Sequence, residues 1–269
     1  MARRVAIGIQ DFGKLLKHNC FYVDKTLFIK EWWENMDDVT LITRPRRFGK
    51  TLTMSMLEQF FSVNYAQEKA VFEKLNIWEY EEYRGLQGTY PVIFLSFSRV
   101  KGNSYPYTRM MMNQILTEMY GRNRYLLDGD LLSEAEKKYF HEVCDTMQEH
   151  TAVAAIHRLS EFLYRFYKKK PLIFLDEYDT PMQEAYLGGY WEEMSAFIRA
   201  MFNASFKENP YMERAILTGI TRVSKESVFS DLNNLKVITT TSVKYETSFG
   251  FTEEEVLAAL AEYGIKKKK

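Results

Sequence analysis

Thr43-Arg44-Pro45-Arg46-Arg47-Phe48-Gly49-Lys50-Thr51 follows the apolar, β-branched run Val39-Thr40-Leu41-Ile42, and this junction decides the fold. The run is short, with Asp37-Asp38 in front and an Arg-Pro turn behind, and it reads as a buried strand. Beyond the turn, Leu52, Met56, Leu57, Phe60 and Phe61 recur near helical spacing, so a helix opens at the Gly-Lys-Thr. A strand that turns tightly into a helix aims backbone amides and the positive end of the helix dipole at one point, which is an anion site. In such a loop Lys50 would pair the β- and γ-phosphates of a nucleoside triphosphate, and the Thr51 hydroxyl would ligate Mg²⁺. The candidate nucleotide-binding set is therefore Arg46, Arg47, Phe48, Gly49, Lys50, Thr51 and Leu52.

The strict pattern G-x-x-x-x-G-K-[ST] is not met, because Arg44 stands at the first glycine position and Pro45 brings no amide donor. Arg46 and Arg47 replace some of the lost positive potential. The structural alternative is an ordinary helix N-terminus after a basic turn.

A second segment weighs against that alternative. Leu172-Ile173-Phe174-Leu175 reads as another buried strand, and it ends in Asp176-Glu177. A carboxylate at a strand tip can hold Mg²⁺, so Asp176 joins Thr51 as a metal candidate, and a neighbouring carboxylate, Glu177, can orient and polarise the attacking water. An acidic strand end that merely caps the following helix is the competing explanation. Asp179 reads as a turn residue. Thr218 ends the apolar run Ala215-Ile216-Leu217; in P-loop ATPases with an additional strand, a polar residue at such a tip senses the γ-phosphate. Arg222, just beyond, could stabilise transition-state charge in its own subunit, which its closeness in sequence to Thr218 favours, or in a neighbouring one. A locally bonded threonine and a solvated loop arginine are the bland alternatives. Asp24-Lys25-Thr26, inside an aromatic stretch, would either line a base or ribose pocket or form a turn and helix cap. Asp231-Leu232-Asn233-Asn234 reads as a turn without assigned chemistry, and Met110-Met111-Met112 with Phe162, Tyr164, Phe166 and Tyr167 as packing stripes.

Further strands are expected over 91–97 and 236–241. Between Pro106 and Pro171 no proline interrupts a largely helical stretch, with Ser133 and Glu136 as a capping box. Thr180, Pro181 and Gln183 read as N-cap, N1 and N3 of a helix, another spans 191–206, and Thr252 to Glu255 caps a last helix ending near Tyr263-Gly264. Strands separated by long helical stretches imply a parallel sheet with helices on both faces and one α/β domain with a helical insertion. The chain has 269 residues, 46% hydrophobic, ample for a large core. Its 36 basic and 36 acidic side chains balance, which gives no reason to propose nucleic acid or an anionic membrane as partner, and says nothing of a local basic patch. Two cysteines without a CxxC favour a reducing cytosol and argue against a thiolate metal site. No apolar run approaches the ~18 residues of a membrane span.

With these segments together the chain resembles the bacterial AAA-ATPase-like family. The resemblance rests on Ile7-Gly8-Ile9, Phe21-Tyr22-Val23-Asp24-Lys25-Thr26, the loop from Arg44 to Thr51, Phe174-Leu175-Asp176-Glu177-Tyr178-Asp179, Leu217-Thr218-Gly219-Ile220-Thr221-Arg222, Leu232-Asn233-Asn234-Leu235 and Phe249-Gly250-Phe251-Thr252. It implies an α/β P-loop NTPase fold of the additional-strand, AAA-like type, with about five parallel strands, and ATP with Mg²⁺ as the expected ligands. The family shares the Arg-Pro-Arg-Arg-Phe-Gly-Lys loop, so Arg44 in place of glycine is its habit. Members often carry a PD-(D/E)XK nuclease-like domain after the ATPase. On this basis residues 1–256 are expected to form the ATPase-like domain and 257–269 the start of a linker or truncated C-terminal region, the chain being an N-terminal piece or a truncated member. Two functions follow: an ATPase that couples hydrolysis to conformational change, or a nucleotide-binding regulatory module with little turnover that controls an attached nuclease-like domain. A nucleic-acid-binding protein without nucleotide chemistry fits less well, since no basic aromatic stripe is present.

Overall fold

The computed structural model of the chain describes residues 3–221 and 228–265. In chain order the elements are helices α1 (Phe12–Lys17) and α2 (Leu27–Asn35), strand β1 (Val39–Thr43), helices α3 (Lys50–Phe61) and α4 (Glu81–Leu86), and strand β2 (Val92–Ser96). Helices α5 (Tyr105–Gly121), α6 (Glu134–Glu142) and α7 (Glu149–Tyr167) precede strand β3 (Leu172–Asp176). Helices α8 (Thr180–Gly188) and α9 (Trp191–Phe206), strands β4 (Arg214–Gly219) and β5 (Leu235–Ile238) and helix α10 (Glu253–Glu262) complete the order. The chain forms two compact units: one from Asp37–Thr43 and Tyr90–Thr239, the other from Met1–Met36, Arg44–Thr89 and Thr240–Lys269.

The first unit is built on a five-stranded sheet in the order β2-β3-β4-β1-β5. Every neighbouring pair is parallel, which is why long connections separate the strands in sequence. Register explains the core. Ile93, Ile173, Ala215 and Val39 lie side by side across four strands, and Leu95, Leu175, Leu217 and Leu41 form the next row. Because side chains alternate along a strand, both rows face the same way, and they join one core with Leu116 of α5, Ile156 and Leu159 of α7 and Phe202 of α9. In α7 the buried residues Ala152, Ala155, Ile156, Leu159 and Leu163 recur at helical spacing, and this face packs on α9. The inner strands β1, β3 and β4 are buried at every residue, while the edge strands β2 and β5 are buried only in part. That contrast accounts for the nearly continuous apolar runs of the inner strands.

The second unit is helical with an aromatic core. Phe60 of α3 meets Phe61 and Phe72 with ring centroids 5.1 and 5.2 Å away. Phe12 of α1 stacks on Phe72, and Trp32 of α2 meets Phe61 edge-on. Such pairs bury large apolar areas in defined geometry.

The α/β class, the parallel sheet, α3, α9 and both capping boxes appear as expected. Three expectations need correction. Helix α8 starts at Thr180 itself, with Asp179 at the N-cap, so Thr180, Pro181 and Gln183 shift one place inward. The reason is that the Thr180 hydroxyl donates to Glu177 Oε2 instead of capping the helix. Strand β5 stops at Ile238, short of Thr241, because β1 pairs with it only from Val39 to Ile42. Of the packing stripes, Met112 and Phe162 are buried, whereas Met110, Tyr164 and Phe166 are exposed.

Candidate functional site

β1 ends at Thr43, and the loop 44–49 leads into α3. Arg47 and Gly49 both take positive φ, 67° and 82°, so the loop turns twice through the left-handed region before the helix begins. Glycine adopts that conformation freely; an arginine there costs roughly 1–2 kcal/mol. Gly49 is the N-cap of α3 and no side chain caps the helix. The first amides of α3 are thus left without a side-chain cap. Arg46, Arg47, Phe48 and Gly49 are exposed. Lys50, in contrast, is only 7% exposed. Its Nζ donates to the carbonyls of Arg44 and Pro45, both at 2.9 Å, so the ammonium lies within its own loop. Arg44 is buried, donates through Nη2 to Tyr245 O at 3.3 Å and lies over the Phe249 ring at 5.4 Å. Its burial lowers the guanidinium pKa from the ordinary value.

Beside the first turn of α3, within the same unit, lies a mainly apolar cavity of ≈ 460 Å³. Val5, Ile9, Phe48, Leu52, Phe251 and Leu260 are among its lining residues. Its size is that of a small-molecule pocket, typically ~300–1,000 Å³. Leu52, one of the candidate nucleotide-binding residues, is on its wall; Val5 and Leu260 were not singled out, because apolar residues far apart in sequence carry no local sign of a shared pocket. Lys25 also lines the cavity, its ammonium bound to Glu255 and to Thr247 O at 2.6 Å. Asp24 and Thr26 form the turn instead. Asp24 Oδ1 accepts from the Thr26 amide and hydroxyl, and its Oδ2 accepts from the Asn76 amide.

The acidic segment ends β3 in the sheet unit. Asp176 is 1% exposed, and its Oδ1 accepts hydrogen bonds from the Thr218 hydroxyl and the Glu177 amide. Thr218, fully buried near the end of β4, thus fixes the orientation of the Asp176 carboxylate. The Tyr178 amide donates to Thr218 O and knits the two strand ends further. Glu177 is half-buried at φ 52°, a left-handed conformation unusual for a residue with a side chain. Asp179 does more than turn the chain. It is fully buried, and its Oδ2 accepts from the amides of Ile220 and Thr221, the Thr221 hydroxyl and the Gln183 side chain. A turn aspartate leaves no trace in sequence of donors 41 and 42 positions away. Arg222 lies outside the described residues. In the Asp231–Asn234 turn, Asp231 accepts from Asn203, and Asn234 donates to Phe206 O, so the turn is fastened to α9.

A parallel α/β sheet with a Gly-Lys-Thr loop after one strand and a buried aspartate at the end of another defines the class. Residues 6–229 match the family described as Predicted AAA-ATPase, and the chain belongs to that family. A curated relative described as "Uncharacterized protein in vnfD 5'region", from Azotobacter chroococcum mcd 1, is 26% identical over 264 residues. The match covers 96% of this chain and 45% of the relative, so the chain spans about half the relative's length. No solved structure matches the chain. Among the described residues no helix is long and apolar enough to cross a membrane.

Proposed function

We propose that the chain binds ATP with Mg²⁺ and hydrolyses it, as a P-loop ATPase of the additional-strand type. The observation that carries this is the strand order: β1, which feeds the Gly-Lys-Thr loop, and β3, which ends in Asp176, both flank β4 in one parallel sheet. Parallel strands share a carboxyl edge, and open α/β sheets bind ligands at that edge. The Thr218–Asp176 bond at this edge joins the tip of the intervening strand to the acidic one. Arg46, Arg47, Gly49 and Lys50 take the phosphates, with the loop amides and the α3 N-terminus. The apolar cavity lined by Leu52, Phe48 and Leu260 suits the flat heteroaromatic base.

Mg²⁺ is a hard cation that keeps several waters and takes few protein ligands; the Asp176 carboxylate, held in one orientation by Thr218, has the chemistry for it, and Thr51 is the other residue we assign to it. Bound there, it would neutralise charge on the phosphates. Glu177 orients the attacking water and accepts its proton at a carboxylate oxygen. Thr218 positions Asp176, and Arg222 is assigned to charge on the γ-phosphate in the same subunit.

Titration calorimetry with MgATP, followed by phosphate release from wild type and Glu177→Gln, tests the assignment. Glu177→Gln is expected to bind ATP like wild type and to turn over about 10² to 10⁴ times more slowly, the usual loss with a general base. If ATP binds and wild type releases phosphate no faster than Glu177→Gln, the chain is the regulatory module, governing an attached domain such as a nuclease. If ATP does not bind, both readings fail.

A further inference from the structure

We propose that Arg44 is a positioning residue of the phosphate-binding loop and that segment 245–250 is the clamp through which it acts; this rests on the nucleotide reading above. Arg44 stands where the phosphate-loop pattern has glycine, and the structure gives it two partners at once. Its carbonyl accepts from Lys50 Nζ, while its buried side chain donates to Tyr245 O and covers the Phe249 ring. One residue thus joins the loop lysine to a segment about two hundred positions away.

A second, separate contact fixes the other end of the loop. The Gly250 amide donates to Phe48 O at 3.2 Å. Gly250 has φ 73°, and a Cβ there would come within 3.0 Å of the Phe48 ring, so glycine is what lets the ring lie on the segment. The clamp is itself anchored to α2. The Glu31 carboxylate accepts from the Tyr245 amide and the Ser248 hydroxyl, Asn35 donates to the Tyr245 hydroxyl, and Phe28 packs edge-on against Tyr245 and Phe249.

The physical need is plain. This loop lacks a glycine and one amide, and it holds Arg47 at positive φ. Left alone it would have to be ordered when the phosphate arrives, and that ordering would weaken binding. The clamp orders it beforehand. A guanidinium suits the task because it donates in a plane while stacking on an aromatic face; lysine keeps the charge but not the stacking.

Hydrogen exchange of the unliganded chain, combined with calorimetry using ATP and inorganic tripolyphosphate, tests the proposal. In Arg44→Ala the amides of 46–52 and 245–250 should exchange at least about tenfold faster, with α7 and α9 unchanged, because local opening is controlled by local contacts. Tripolyphosphate and ATP should both bind on the order of tenfold more weakly, as when a charge-assisted hydrogen bond is lost. Arg44→Lys should restore part of both effects. Gly250→Ala, which leaves Arg44 in place, should loosen the same amides from the other side, and it carries the test should Arg44→Ala fail to fold. Wild-type exchange in Arg44→Ala or Gly250→Ala, or faster loop exchange with unchanged tripolyphosphate affinity, overturns the proposal. A wild type that binds neither ligand overturns the nucleotide reading instead, and the clamp is then judged on exchange in the unliganded chain.

Discussion

Lys50 holds its charge on two neutral carbonyls of its own loop, those of Arg44 and Pro45. A phosphate offers a stronger acceptor than a carbonyl, because it adds the attraction of its full negative charge to the ammonium's hydrogen bond. On the proposed nucleotide reading, binding would exchange these internal bonds for stronger external ones, and the lysine would set the affinity. Lys50→Ala is expected to weaken ATP binding by roughly ten- to a hundredfold, equivalent to ~1.5–3 kcal/mol for a lost charged contact. Calorimetry beside a circular dichroism spectrum checks it; equal affinities in two folded proteins would refute the role. Glu177 is the other residue whose local geometry is informative. Its backbone is left-handed, at a cost of roughly 1–2 kcal/mol, while its amide donates to Asp176 and its carboxylate accepts from the Thr180 hydroxyl. Strain of this kind concentrates at functional positions.

The carboxyl ends of β3 and β4 form a unit, and Asp179 is its hinge pin. One carboxylate oxygen gathers four donors from two elements: Ile220 and Thr221 after β4, and Gln183 in α8. An asparagine has one oxygen without full charge, so the bonds weaken while the donors stay buried. Asp179→Asn is expected to lower stability by about 1–3 kcal/mol, the range for impaired buried hydrogen bonds. Urea denaturation reads it, and a stability equal to wild type would remove Asp179 from this structural role. Turnover separates the two acids: loss of phosphate release in Asp179→Asn with retention in Glu177→Gln would reverse their assignment. The cavity beside α3 makes a matching prediction. Leu260→Trp fills it from α10, which should weaken ATP by about tenfold while leaving tripolyphosphate unchanged. Equal losses for both ligands would mean that the cavity does not receive the base.

For the whole molecule, Arg222 decides whether one chain suffices. It follows the Thr218 tip by four positions and is assigned to its own subunit's γ-phosphate. Arg222→Ala should then lower turnover without changing the oligomeric state, and mixing it with Lys50→Ala subunits should restore nothing. Recovery of phosphate release in the mixture would show that the arginine acts across subunits.

What the sequence determined by itself was the set of elements and the chemistry at their ends. The helix at 191–206, the Ser133–Glu136 and Thr252–Glu255 capping boxes and the strand before the Gly-Lys-Thr depend on periodicity and on contacts three or four residues apart, so they are written locally. Asp176 and Thr218 were legible because each ends an apolar run. The tertiary structure alone decided which strands adjoin, since parallel pairing joins residues that no short pattern links. It also decided what the apparent misfits do. Arg44 looked like a lost glycine until Tyr245 and Phe249 came to its side, and Asp179 like a turn residue until the amides after β4 met its carboxylate. Burial is the physical reason: a charged or polar group removed from water must find partners, and where they come from depends on how the chain folds back on itself.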